Sequence, residues 1–158
     1  GKPVEINPRN FNRKYSLSKA EAIVAAAGPI MNFILAFILM IIFYAMIIFI
    51  PGTGVLSSLK AINVMNVVIT MIYYAIVVNI GLGVFNLIPI PPLDGSKIFL
   101  RFLPYRAQRW IDEHMESISI IFLLLFVTDA LSYITTPIIS VIMKGLEFCV
   151  NAIFSIFI

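Results

Sequence analysis

The sequence predicts an all-α, polytopic integral membrane protein: a helical bundle of about four membrane helices with an interfacial amphipathic segment. The first supporting observation is composition, because 61% of the 158 residues are hydrophobic and 12% are charged. A soluble domain has about 45–50% apolar and about 25% charged residues. The second is that the cations lie at the ends of the apolar runs, as is typical of membrane proteins. The net charge of +3 therefore does not indicate nucleic-acid binding.

The first segment, residues 1–19, is polar and contains five cations and one acid. Pro3 and Pro8 disfavour helix, so we expect an extended interfacial segment with a strand at residues 2–6. The sequence begins without Met in the middle of a recognisable pattern. We therefore expect residues 1–158 to be the C-terminal part of a single membrane-embedded domain.

Two long apolar runs follow, and each predicts a membrane span. The first covers residues 20–50, contains Pro29 and Asn32, and ends at Pro51 and Gly52. The second covers residues 61–87 and contains several asparagines, of which Asn86 is the last. The loop between them, 51–60, contains a single cation, Lys60.

The rest of the chain divides into an interfacial part and a final apolar part. Residues 88–116 begin with a proline-rich turn and continue as a stretch in which basic and aromatic residues alternate, as expected of a helix in the lipid headgroup region. Residues 117–158 predict the last helices, divided near Asp129 and Pro137. Residues 117–128 are too few to cross about 30 Å of hydrocarbon.

The distribution of cations predicts the orientation of the spans. Segments 1–19 and 88–116 contain five and four Lys or Arg residues, whereas the opposite loop contains one. The positive-inside rule therefore places the N-terminal segment and the proline-rich turn on the cytoplasmic side.

The most informative stretch is NIGLGVFNLIPIPPLDGSKI, residues 79–98, where the second span ends in a turn with one carboxylate, Asp94. Ionisable groups at the edge of a span are costly, so such a residue is a candidate for function. Prolines before Asp94 and a glycine after it restrict where the carboxylate points. From the residues alone, two roles stay open: a functional ligand, or the N-cap of the following helix.

These residues resemble a known family. FNLIPIPPLDGSKI is similar to the Asn-x-x-Pro-x-Pro-x-Leu-Asp-Gly motif of site-2 proteases, zinc metalloproteases that cut within membranes, and the stretch from KPVEINP to AAAGPIMN resembles a second motif of that family. Both occur in the family's order and cover most of residues 1–100. The nearest similarity is to the small prokaryotic branch without a PDZ domain, which implies a prokaryotic cell membrane.

The resemblance implies a cofactor, Zn²⁺, and assigns roles to particular residues. Asp94 would be the third zinc ligand, and two histidines of a His-Glu-x-x-His helix would be the other two. Asn86, Pro89 and Pro91 would frame the ligand and hold an unwound segment of the substrate, and Asn32 would be a polar contact near the site. For Asn32 and Asn86, interhelical hydrogen bonding is the alternative. The implied partners are a transmembrane protein substrate and the lipid bilayer, and a homo-oligomer stays open.

The sequence departs from the family at one point. It has no His-Glu-x-x-His, and its single histidine, His114, lies in a charged stretch typical of a protein surface. The two histidine ligands and the catalytic glutamate are therefore expected upstream. The alternative is an inactive membrane scaffold that binds transmembrane helices. A small transporter is a third hypothesis, which the absence of an inverted repeat disfavours.

Overall fold

A computed structural model of the chain describes residues 17–50 and 59–156. All regular secondary structure in these ranges is helical, in the order α1 (Leu17–Phe49), α2 (Leu59–Asn86), α3 (Asp94–Leu100), α4 (Tyr105–Glu113), α5 (Met115–Val127) and α6 (Ser132–Phe154). The predicted strand at residues 2–6 lies outside the described residues. The all-α prediction is confirmed, and the predicted spans 20–50 and 61–87 correspond closely to α1 and α2.

Three of these helices are long and apolar enough to cross a membrane: α1, α2 and α6. Helix α5 is apolar but has 13 residues, which correspond to about 20 Å at about 1.5 Å per residue. It is therefore shorter than the hydrocarbon core, as its sequence predicted. Pro137 does not divide the last two helices as expected but lies inside α6.

Helices α1 and α2 pack antiparallel. Phe33 lies against Gly83, the Phe43 ring is 6.2 Å from that of Tyr73, and Met46 shares a cavity with Asn66. As residue numbers rise along α1, the residue numbers of the contacting partners on α2 decrease. The start of α1 and the end of α2 therefore lie at the same end of the bundle, where α1 also contacts α3.

The core of the bundle lies where α1, α2 and α6 meet. It contains seven buried residues: Ala36, Met40, Ile76, Ile80, Val84, Val150 and Phe154. Small residues on α1 bring the helix backbones together, and larger aliphatic and aromatic side chains fill the remaining space. Many large apolar side chains outside this core are exposed on the helix surfaces, as expected of helices that contact lipid.

Helix α5 packs against the end of α2 through aromatic rings. The Phe85 ring lies 5.7 Å from that of Phe122 and 5.6 Å from that of Phe126. The chain then reverses at Asp129, which has a positive φ of 57°. The Ala130 amide donates to the Leu125 carbonyl over 3.0 Å, a bond that is characteristic of a helix ending in a left-handed residue. Asp129 therefore marks an exposed turn, close to where the sequence predicts the last helices to divide.

Candidate functional site

The candidate site is the turn that joins α2 to α3. Helix α2 ends at Asn86, and two amides continue its hydrogen bonding at the end: Leu87 donates to Val84 and Ile88 to Phe85, each over 3.1 Å. The Leu93 amide then donates to the Ile90 carbonyl over 3.0 Å. Prolines in between have no amide to continue the helix, so the chain leaves α2 and reverses.

Gly95 determines how closely α3 approaches the end of α2. It is buried, and a methyl group at its position would lie 2.5 Å from the carbonyl oxygens of both Leu87 and Ile88. Side chains cannot be accommodated at that distance from backbone atoms without a shift of the backbone. The glycine next to Asp94 therefore permits the start of α3 to pack directly on residues 87–88.

Asp94 is the first residue of α3. The N-cap position belongs to Leu93, whose backbone is extended, and no side chain forms a capping hydrogen bond there. The capping alternative for Asp94 is therefore wrong. Asp94 lies one residue inside the helix, whereas a capping side chain stands at the N-cap position and accepts a hydrogen bond from an amide of the first turn. The Ser96 hydroxyl instead donates to the Leu93 carbonyl over 2.7 Å.

The Asp94 carboxylate is accessible and has one ionic partner in the part of the chain that the structure describes. Its Oδ1 accepts a hydrogen bond of 3.0 Å from Lys97 Nζ, and the side chains of Lys97 and Asp94 are 51% and 44% exposed. An exposed ion pair of this type contributes about 0.2–1 kcal/mol. Because the lysine is held so weakly, an incoming cation could displace it from the carboxylate.

The other predicted site residues differ in their burial and in the element on which they lie. Asn86 is half-buried at the end of α2, Pro89 is exposed, and Pro91 is buried within the turn. Asn32 is half-buried on α1, next to Phe33, which packs on Gly83 near the end of α2. The fold thus brings Asn86, Pro89, Pro91 and Asp94 together on one short segment, with Asn32 on the helix alongside.

An apolar cavity of about 370 Å³ borders the turn. Leu87 to Ile90 form one wall, and Phe33 and Val84 form another. The third wall is α6 with the preceding Leu131, through residues that include Thr135 and Ile142. Sequence reasoning did not find this cavity, because the wall from α6 is distant in the sequence. The closest sequence signal was the apolar character of residues 87–90.

The described residues do not contain a complete metal site. Within 17–50 and 59–156 there is no group of three or more His, Cys, Asp or Glu side chains that could hold a metal ion. His114 is exposed, and its Nδ1 lies 2.8 Å from the Trp110 carbonyl oxygen. The donors in this part of the chain are therefore insufficient for zinc, although the accessible Asp94 carboxylate is suited to be one ligand.

Fold and turn define an α-helical integral membrane protein with an accessible carboxylate where a membrane helix ends. Residues 4–128 match the profile described as Peptidase family M50, the family of the site-2 proteases. The chain belongs to this family, and the resemblance inferred from its two motifs is confirmed.

Individual relatives give the same assignment. The chain is 32% identical over 142 residues to "Putative zinc metalloprotease YwhC" of Bacillus subtilis (strain 168). This match covers 88% of this chain and 59% of the relative. A shorter match, 38% over 47 residues, joins 30% of the chain to 11% of "Putative zinc metalloprotease spr0242" of Streptococcus pneumoniae (strain ATCC BAA-255 / R6). The chain thus spans less than two thirds of the curated relatives that it matches. No solved structure matches it.

Proposed function

We propose that this chain is the C-terminal part of an intramembrane zinc metalloprotease that hydrolyses peptide bonds of transmembrane substrates. Asp94 contributes one zinc ligand, and two histidines and a catalytic glutamate come from residues outside these 158. Zinc, when bound, would supply a Lewis acid and an activated water. Support comes from membership of the peptidase family and from the relative named as a zinc metalloprotease.

One observation contributes most to this proposal: the position of Asp94. Its carboxylate lies at the first residue of a short helix whose start packs on the end of α2. The nearby N-terminus of α3 favours a negative charge, and within residues 17–50 and 59–156 only an exposed lysine competes for the oxygen atoms. An accessible carboxylate next to Gly95, which packs on the end of a membrane helix, is suited to a metal ligand.

The proline-rich turn and the neighbouring cavity have a corresponding role with the substrate. A helical substrate hides its carbonyls, so it must be unwound before hydrolysis. Pro89, Pro91 and Pro92 have no amide hydrogen, so they cannot pair with carbonyl groups of the turn. We propose that these carbonyls, with Asn86, hold an extended substrate segment while apolar side chains enter the cavity beside Pro89.

The proposed orientation places this turn on the cytoplasmic side. The start of α1 and the end of α2 lie at one end of the bundle, next to the two cation-rich segments of the sequence. The loop at the other end contains one cation. The positive-inside rule supports a cytoplasmic location for the end with more Lys and Arg.

The first experiment is to determine the coding sequence upstream of Gly1 in the source gene. A hydrophobic segment that contains His-Glu-x-x-His would provide the missing ligands and the catalytic glutamate. A start codon immediately before this chain would exclude an upstream source of these ligands. The proposal would then fail, and the inactive membrane scaffold would replace it.

The second experiment uses the complete protein with Asp94→Ala. Bound zinc is measured by mass spectrometry, and hydrolysis is measured with a model transmembrane peptide in detergent. We expect the variant to lose most of its zinc and all measurable hydrolysis. Asp112→Ala is the matched control, since Asp112 is an exposed carboxylate on α4. Equal zinc content and equal hydrolysis in both variants would refute Asp94 as a ligand.

A further inference from the structure

The segment from the end of α3 through α4 has a surface that the protease proposal does not use. Helix α4 has no buried residue, and among the described helices its contacts are chiefly with α5. The aromatic side chains of Phe102, Tyr105 and Trp110 are 79%, 75% and 57% exposed. Such side chains are unfavourable in water, so this surface requires an apolar or interfacial environment.

The charges on this segment do not cancel. Lys97 pairs with Asp94, and Arg109 pairs with Glu113 over 2.9 Å. Arg101 and Arg106 form no ion pair with any residue of the described ranges, and both are exposed. Two uncompensated guanidinium groups thus lie among exposed aromatic rings.

The helical arrangement of α4 places Asp112 away from this surface. Arg106 and Trp110 are four residues apart and therefore neighbours on the helix. Asp112, two residues beyond Trp110, lies about 160° away from it around the axis, at about 100° per residue. Glu113 lies within about 60° of both Arg106 and Trp110, but it is paired with Arg109. The face with Arg106 and Trp110 is therefore aromatic, and its acid is already paired with another arginine.

The connectivity locates this surface at the edge of the bilayer. The segment joins the end of the membrane helix α2 to the start of the apolar helix α5. Seven residues in α3 and nine in α4 are too few to cross a membrane. Arginine and aromatic side chains at this depth are suited to phosphate groups and to the upper acyl region, respectively.

We propose that the surface formed by Arg101, Arg106 and the neighbouring aromatic side chains binds anionic phospholipid headgroups. Arg101 and Arg106 bind the phosphate groups, and Phe102, Tyr105 and Trp110 insert between the lipids. Charge complementarity identifies the occupant, because zwitterionic lipids provide no net negative charge to balance the two arginines. This inference is independent of zinc binding and of proteolysis.

Trp110 is the only tryptophan of the chain, so its fluorescence reports on this helix alone. The complete protein, with any tryptophan outside these 158 residues replaced by phenylalanine, is reconstituted in phosphatidylcholine vesicles with and without phosphatidylglycerol, and quenching by brominated forms of each lipid is compared. We expect brominated phosphatidylglycerol to quench more strongly than brominated phosphatidylcholine at equal mole fraction. Raising the ionic strength from about 0.01 M to about 0.15 M should weaken this preference, since the Debye length falls from about 30 Å to about 8 Å.

Variants identify the groups that bind. Arg101→Gln and Arg106→Gln should each reduce the preference for phosphatidylglycerol about 5-fold, and together about 30-fold. Arg109→Gln is the matched control, because it removes the same charge from an arginine that Glu113 already pairs. Equal quenching by both lipids in the wild-type chain would overturn the proposal without any variant. So would an effect of Arg109→Gln as large as that of the double variant.

Discussion

The three-helix core and the proline-rich turn are stabilised in different ways. In the core, Ala36, Ile76 and Ile80 are at most 1% exposed and pack through side chains alone. In the turn, Gly95 packs directly on the backbone carbonyls of Leu87 and Ile88. The packing of the core therefore depends on the volume of apolar side chains, and the packing of the turn depends on the absence of a side chain at Gly95.

This difference explains why the turn is the more recognisable part of the sequence. A membrane core tolerates many apolar residues of similar volume. A backbone contact as close as the one at Gly95 permits no residue with a Cβ, and the prolines beside it also have few substitutes. Three substitutions test the comparison, in order of decreasing expected effect.

Gly95→Ala should have the largest effect on stability. The added methyl group would lie 2.5 Å from two carbonyl oxygens, so α3 must move away from α2. We expect a loss of about 3 kcal/mol in the free energy of unfolding, the upper part of the range for overpacking. Unfolding by SDS in mixed micelles, followed by circular dichroism, measures this loss.

The matched control for that substitution is Gly145→Ala on α6. A methyl group there meets no atom within 4 Å. Stability should stay the same or rise slightly, because alanine favours helix more than glycine does. If both variants unfold at the same SDS concentration, the prediction that close packing at Gly95 stabilises the protein is wrong.

Ile80→Ala tests the core. Ile80 has no exposed surface, so the shorter side chain would leave a cavity between the helices. We expect a loss of about 2 kcal/mol, the low end of the range for such truncations, since the unfolded helices still contact apolar surroundings. Ile42→Ala, at a position that is 43% exposed, should lose much less in the same assay. Similar losses for both would indicate that the core lies elsewhere.

Gly83→Ala should have the smallest effect of the three. Its methyl group would lie 2.7 Å from the Phe33 ring, which is the movable end of a side chain rather than backbone. We expect a loss of about 1 kcal/mol, the low end for overpacking. Gly81→Ala, whose methyl group would lie 3.9 Å from Ile139, should be neutral. The prediction fails if Gly81→Ala is the more damaging substitution.

The local elements were predictable because their signals are local. Apolar runs gave the bounds of α1 and α2 to within a few residues, and a short apolar stretch predicted the incomplete span α5. Pro137 was misjudged, since a proline can lie within a membrane helix when neighbouring groups compensate for its missing amide. The N-cap role weighed for Asp94 was wrong by one residue, a shift that depends on where α3 begins.

The sequence by itself determined the membrane class, the family and the candidate ligand Asp94. These follow from composition and from short motifs, which need no knowledge of distant contacts. Only the tertiary structure decided that Gly95 packs on the end of α2 and that α6 closes an apolar cavity beside the turn. The physical reason is that packing between segments depends on distances of a few tenths of an ångström, which hydropathy and spacing along the chain do not encode.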